Sequence, residues 1–317
     1  MRTLLAIGGL GLLALAVLRF APSDFGTAEA LAMLPEHDPT SVVPNREWAN
    51  QEPIEIRGYE GDAMEAGISP DGRFLLFNDR NKPNKDMHWS VRIDERTYDY
   101  KGKVKNTISS KVDGTPCFDG DGTLYFITMG EFPHDIRSLH RARFENGEAK
   151  DITELEGDIY RESPNLPVNM WISLDPDVSD DGTLLFYSEG QFSPRRLFPY
   201  PFKVRGAELR EGRWVRMEDS ILANVNTASL EYAPAISADG LELYFTRISK
   251  VDGRPKFVGI YVAKRGSRSE PFGSPERITA ITGDVEAPVL SGNEQHLYYH
   301  RMVDGVFGIF RVTRKER

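Results

Sequence analysis

Apolar residues along this chain return in short alternating runs, paired by tight polar turns, and five of these pairs repeat one phrase. The copies are Gly67-Ile-Ser-Pro-Asp-Gly-Arg-Phe-Leu-Leu-Phe77, Cys117-Phe-Asp-Gly-Asp-Gly-Thr-Leu-Tyr-Phe126, Asp177-Val-Ser-Asp-Asp-Gly-Thr-Leu-Leu-Phe186, Ala235-Ile-Ser-Ala-Asp-Gly-Leu-Glu-Leu-Tyr-Phe245 and Val289-Leu-Ser-Gly-Asn-Glu-Gln-His-Leu-Tyr-Tyr299. Each reads as an apolar strand, an Asp-Gly type of turn, and a second strand ending on an aromatic residue. The turn residues Asp71, Asp121, Asp181, Asp239 and Asn293 are separated by 50, 60, 58 and 54 residues. A period of that size marks an array of supersecondary units, and a four-stranded antiparallel blade fits it. The pattern therefore predicts an all-β chain folded as a five-bladed β-propeller.

The ends of the array predict how the ring closes. Ile54-Glu-Ile-Arg-Gly-Tyr-Glu-Gly-Asp62 resembles Arg277-Ile-Thr-Ala-Ile-Thr-Gly-Asp284, and each precedes an inner strand. The last repeat supplies strands near Ala287–Leu290, His296–His300 and Val306–Val312, and no fourth. The strand at 54–59 is expected to fill that edge in a three-plus-one closure, which leaves no unpaired strand. A sixth blade between Asp121 and Asp181 is the alternative, although only one set of strands (Leu124–Thr128, Ser138–Phe144, Ala149–Leu155) is legible there. The propeller is thus expected over 54–317, after a short helix and linker over 31–53.

Upstream, Leu4 to Leu18 is uninterruptedly apolar behind Arg2. That length is short for a membrane span, which needs roughly 20 residues, and suits the core of a signal peptide. Residues 1–30 are expected to be a signal peptide, with Ala28 and Ala30 as cleavage-site residues, or an uncleaved anchor held through residues 4–21. Either reading puts the remainder in the periplasm or outside the cell.

Ser69-Pro70-Asp71-Gly72 with its flanking apolar residues, and the Pro-x-Ile-Ser-x-Asp-Gly-x-x-Leu-Tyr-Phe of Pro234–Phe245, resemble the WD40-like (PD40) repeat of the TolB type of propeller. The resemblance covers about 54 to 317. It implies the fold and no single activity, because such propellers include a periplasmic component of the Tol system, polysaccharide lyases and gating domains of peptidases. No His/Gln metal-binding set of the lyases is matched.

Composition narrows the choice of partner. The 317 residues carry a formal net charge of -9, which argues against nucleic acid and against an anionic membrane surface, apart from the N-terminal segment. The single cysteine, Cys117, excludes an intramolecular disulfide and any multi-cysteine metal site. No Gly-x-Ser-x-Gly elbow, phosphate loop, His-Glu-x-x-His or Cys-x-x-Cys occurs.

Alignment of the repeats isolates one unusual position. The slot two before the turn serine holds Gly67, Cys117, Asp177, Ala235 and Val289, so Asp177 is a lone carboxylate among small or apolar residues. On an inner strand it costs several kcal/mol of desolvation unless it is paired, metal-bound or wet. Backbone N–H groups or channel water would satisfy it as a structural acid; otherwise it is a ligand or catalytic group. Asp175, two residues away, is expected on the same strand face, and the two carboxylates could hold a cation such as Ca²⁺; no other cofactor is evident. Further charges gather in loops expected at one channel mouth: Glu65, Glu231 and Glu286 before inner strands, and Asp79, Arg80, Glu189, Arg247, His300 and Arg301 after second strands. These predict a binding protein that takes a small molecule, glycan or peptide at the mouth. The alternative is a carbohydrate-active or other hydrolase or lyase using Asp177 or Asp175, a second acid (Glu231 or Glu286), and Arg247 or Arg301.

Overall fold

The computed structural model describes residues 33–79, 84–107, 112–129, 136–163, 169–193 and 199–316. The expected leader or anchor, the first two residues of the expected helix and linker, and Arg80 lie outside these residues. Among the described residues, no helix is long and apolar enough to cross a membrane.

Five sheets form the ring, each with its inner strand toward the axis. The inner strands are Met64–Ile68, Asp113–Phe118, Met170–Val178, Leu230–Ile236 and Val285–Leu290, in blades 1 to 5. Each pairs antiparallel with the second strand of its blade: Phe74–Asn78, Thr123–Thr128, Leu184–Phe192, Glu242–Val251 and His296–Val303. The 60-residue interval between Asp121 and Asp181 holds the rest of blade 2 and the inner strand of blade 3, so the described strands make five blades and not six.

The repeated phrase folds for a local reason. Ser69 Oγ donates to Asp71 Oδ1 at 2.7 Å, Asp71 accepts from Arg73 N at 2.9 Å, and Phe74 N donates to Ser69 Oγ at 2.8 Å. The same Ser-Asp lock closes the turns at Ser179–Asp181 and Ser237–Asp239, and Ser291–Asn293 repeats it with an amide. Gly72, Gly122, Gly182 and Gly240 follow with φ between 67° and 83°, a backbone that glycine adopts without steric cost. The aromatic at the end of each phrase (Phe77, Phe126, Phe186, Phe245, Tyr299) is wholly buried and packs between sheets.

Closure uses a strand earlier than the sequence suggests. Trp48–Pro53, not 54–59, pairs antiparallel with Val306–Arg314 and completes blade 5. Glu55–Arg57 instead runs parallel along the outer strand of blade 1, Thr97–Lys103, and Val43–Asn45 runs parallel along Glu276–Ile278 of blade 4. Residues 43–53 are therefore part of the propeller rather than a linker. Only Trp48 is fully buried in the closing strand, so its polar edge residues leave no alternation to read. Trp48 meets Tyr244 edge-on at 5.9 Å and lies under the Arg314 guanidinium.

Candidate functional site

Every inner strand carries the same irregularity. Glu65, Thr115, Asp175, Ala233 and Ala287 all have φ between 47° and 53°, and a β-bulge falls at each. These residues stand four positions before the turn residues Ser69, Asp119, Ser179, Ser237 and Ser291. Left-handed backbone on a non-glycine residue is strained and persists only where neighbours fix it. The fixing partner comes from the next sheet. Thr115 N donates to Asn78 Oδ1, Ala233 N to Ser188 Oγ, Ala287 N to Thr246 Oγ1 and Glu65 N to His300 Nδ1, at 2.8 to 3.1 Å. All four acceptors occupy one repeat position, nine after the turn residue. The fifth member of that set, Thr128, has a buried hydroxyl without a partner. A polar residue at the fifth or sixth position of each second strand is the sequence signal for this girdle.

The bulges also decide where the acids go. Alternation fails between Leu174 and Asp177, so Asp175 and Asp177 take different partners although both line one cavity of about 30 Å³ on the channel wall. Asp177 accepts from the Ile236 N–H of blade 4 at 2.6 Å and interacts with the Cys117 thiol of blade 2, tying three blades together. Burial pushes its carboxyl up to about 8, against the pull of the Ile236 and Cys117 donors. The same burial, with Asp177 beside it, raises the Cys117 thiol well above its usual value. Among the described residues, no cluster of three or more acidic, histidine or cysteine side chains is arranged to hold a metal ion.

Next to that cavity lies a chamber of about 30 Å³ lined by Glu65, Lys85, Thr115, Asp175, Tyr232, Glu286 and His300. Its three carboxylates come from blades 1, 3 and 5. Glu65 pairs with the nearly inaccessible Lys85 ammonium at 2.8 Å. Burial pushes Glu65 upward, but Lys85 outweighs it and holds the carboxyl below its ordinary value. Asp175 accepts from Ser188 Oγ at 2.8 Å; burial, and then the Glu65 carboxylate, push it up to about 7. Glu286 accepts from the Tyr232 hydroxyl at 2.6 Å, and its Oε1 stands 3.5 Å from His300 Nε2. Because His300 Nδ1 accepts from Glu65 N, neutral His300 carries its proton on Nε2. Glu286 Oε1, His300 Nε2 and Thr115 Oγ1 are all buried and lack a hydrogen-bond partner.

The remaining expected residues sit elsewhere. Glu231 is fully buried between blades, bound to Lys203 Nζ at 2.8 Å, Arg247 Nε at 3.2 Å and Thr227. Glu189 is likewise held by Arg205 and Arg216. Arg247 lies over the Tyr261 ring and Arg301 over Phe310. Asp79 caps Asp86 N and stands 3.8 Å from His88 Nε2. None of these five lines the chamber. Sequence reasoning passed over Lys85, Thr115 and Tyr232, which do.

The ring of five repeats, with its local turns, makes this chain a five-bladed β-propeller. No protein-family model and no curated relative matches the sequence. Among solved structures it is similar to an endo-arabinase of Bacteroides thetaiotaomicron, with 12% identity over 84% of this chain and 98% of that one, at a TM-score of 0.52. A native arabinanase of Bacillus subtilis aligns at 12% identity over 84% of this chain and 95% of that one, with a TM-score of 0.51. TolB of Acinetobacter baumannii aligns at 14% identity over 81% of this chain and 55% of that one, with a TM-score of 0.42. At these identities the likeness is one of fold.

Proposed function

We propose that this chain is an exported binding propeller that receives a small polar ligand, or a polar head group carried by a glycan or peptide, in the chamber at its channel mouth. One observation carries the reading: at a cavity where three blades converge, the buried Thr115 Oγ1 has no hydrogen-bond partner, and Glu286 Oε1 and His300 Nε2 meet only each other, at a loose 3.5 Å. Buried polar groups left unpaired cost about 1–3 kcal/mol each, so a site that keeps several of them is suited to a ligand that pairs them. Export rests on the apolar stretch from Leu4 to Leu18.

The test is thermal-shift titration of the full chain against small amines, neutral sugars and dipeptides. At least one class is expected to stabilise it, and Thr115→Val and Glu286→Gln are expected to abolish that effect. Stabilisation indifferent to both substitutions would overturn the reading.

A hydrolytic role is favoured by one feature, the opposite protonation preferences of Asp175 and Glu65 in one chamber. It calls for Asp175-dependent release of reducing ends from a polysaccharide such as arabinan. A cavity of about 30 Å³ accommodates about two water-sized groups and no sugar ring, which supports the binding role over this one.

A further inference from the structure

We propose that the chamber is an ammonium site, which takes the primary amine of a small organic cation or of a lysine side chain. This deepens the reading given above and rests on it.

The first support is charge. Glu65, Asp175 and Glu286 face one cavity with Lys85 as their only full cation among the described residues that line it. With every acid ionised, the buried chamber would hold two uncompensated negative charges, an arrangement that proteins avoid by binding a cation or a proton. Here the relief falls on Asp175. Glu65, Lys85 and Glu286 face it with Ser188, and its carboxyl retains a proton up to about pH 7. An incoming ammonium supplies the same neutralisation.

The second support is the set of unpartnered atoms. Glu286, 3% exposed, offers Oε1, which His300 Nε2 approaches only to 3.5 Å, and Thr115, 7% exposed, offers a hydroxyl oxygen. An ammonium has three donors and no acceptor, so it pairs with these two oxygens and with Asp175 without leaving an acceptor of its own unsatisfied.

Size and wall agree. A cavity of about 30 Å³ suits a water-sized head group. Phe192, Phe202 and Tyr232 line it, with Phe202 and Tyr232 stacked at 5.1 Å, and aromatic walls favour organic cations. The chain supplies its own precedent, because the Lys85 ammonium already sits there against Glu65.

The experiment titrates the full chain at pH 8 with 1,5-diaminopentane and with acetyl-Gly-Lys-Gly-amide, read by calorimetry and by melting temperature. Acetyl-Gly-norleucine-Gly-amide, calcium chloride and arabinose are the controls. Binding of either amine, with the norleucine peptide inert, supports the proposal, and the two amines separate a free cation from a peptide source. Glu286→Gln is expected to weaken the amine at least tenfold. Affinity is expected to fall by up to about tenfold per pH unit below pH 7, because the ligand then competes with the Asp175 proton. Asp175→Asn, which keeps the Ser188 contact, should flatten that pH profile. Both variants are near-isosteric, and circular dichroism checks their folding.

If arabinose or the norleucine peptide binds as well as the amines and Glu286→Gln abolishes it, the ammonium assignment fails and the chamber remains a binding site. Amine binding that ignores both substitutions overturns the assignment. If no probe binds, both the assignment and the reading beneath it fall.

Discussion

Replacing Asp177 by asparagine tests how the channel wall is held together. The native carboxyl keeps its proton up to about pH 8, whereas in the unfolded chain it releases it near the ordinary value of 3.8. A group whose folded value is raised stabilises the fold fully below the unfolded value, and that stability is lost as pH rises through the folded one. The loss runs at ~1.4 kcal/mol per pH unit and reaches ~5–6 kcal/mol between pH 4 and pH 8. The Asp177→Asn side chain would still present an oxygen to the Ile236 N–H, which the native carboxyl meets at 2.6 Å, but would never ionise. The two proteins should therefore have similar stability near pH 4 and diverge steadily above it, the variant being the more stable by several kcal/mol at pH 8. At roughly 2–4 °C per kcal/mol for a chain of this size, the gap in melting temperature is of order 10–20 °C. Urea unfolding at half-unit pH steps measures it. Asp175, also raised, contributes equally to both curves and cancels in their difference. Parallel stability curves from pH 4 to pH 8 would show that Asp177 is ionised, or solvated, in the native ring, and its tie between the three blades would be wrong.

Two further outcomes follow from the same geometry. Trp48→Ala removes the one fully buried residue of the closing strand and should cost ~3–5 kcal/mol, seen as a fall of roughly 6–20 °C in melting temperature. A loss below ~1 kcal/mol would mean that closure does not depend on it. Glu231→Gln strands Lys203 and Arg247 beside a neutral partner and should destabilise by ~3–5 kcal/mol. Ligand affinity at the chamber should not change in that variant; a lost site in a protein of unchanged melting temperature would return Glu231 to the functional group.

The repeats made the ring legible because each turn is a local device: Ser69 and Asp71 lock one another within three residues, and five copies cannot arise by chance in register. The closing strand was hidden for the opposite reason. Trp48–Pro53 is an edge with one buried side chain, and its partner Val306–Arg314 lies at the other end of the sequence, so neither periodicity nor proximity announces the pair. Asp177 stood out correctly as an anomaly on an inner strand. Asp175 lines the same cavity, but through a bulge and not through the unbroken ladder that period-two reasoning assumes. Glu189, Glu231 and Arg247 look like mouth residues in one dimension, and only the packing of neighbouring strands and blades buries them against their partners. Lys85 and Thr115 carried no motif; the girdle residues Asn78, Ser188, Thr246 and His300 did, as polar interruptions at one repeat position.

The pairing of Trp48–Pro53 with Val306–Arg314 sets an order on assembly. During synthesis the front segment emerges hundreds of residues before its mate, so the circle stays unsealed while four of the sheets are already available to form. Only when the final hairpin leaves the ribosome can the last sheet zip shut. Until then an incomplete chain offers an open sheet edge to any other strand within reach. Protein that is truncated near its C-terminus should consequently associate with itself rather than persist as a smaller soluble ring.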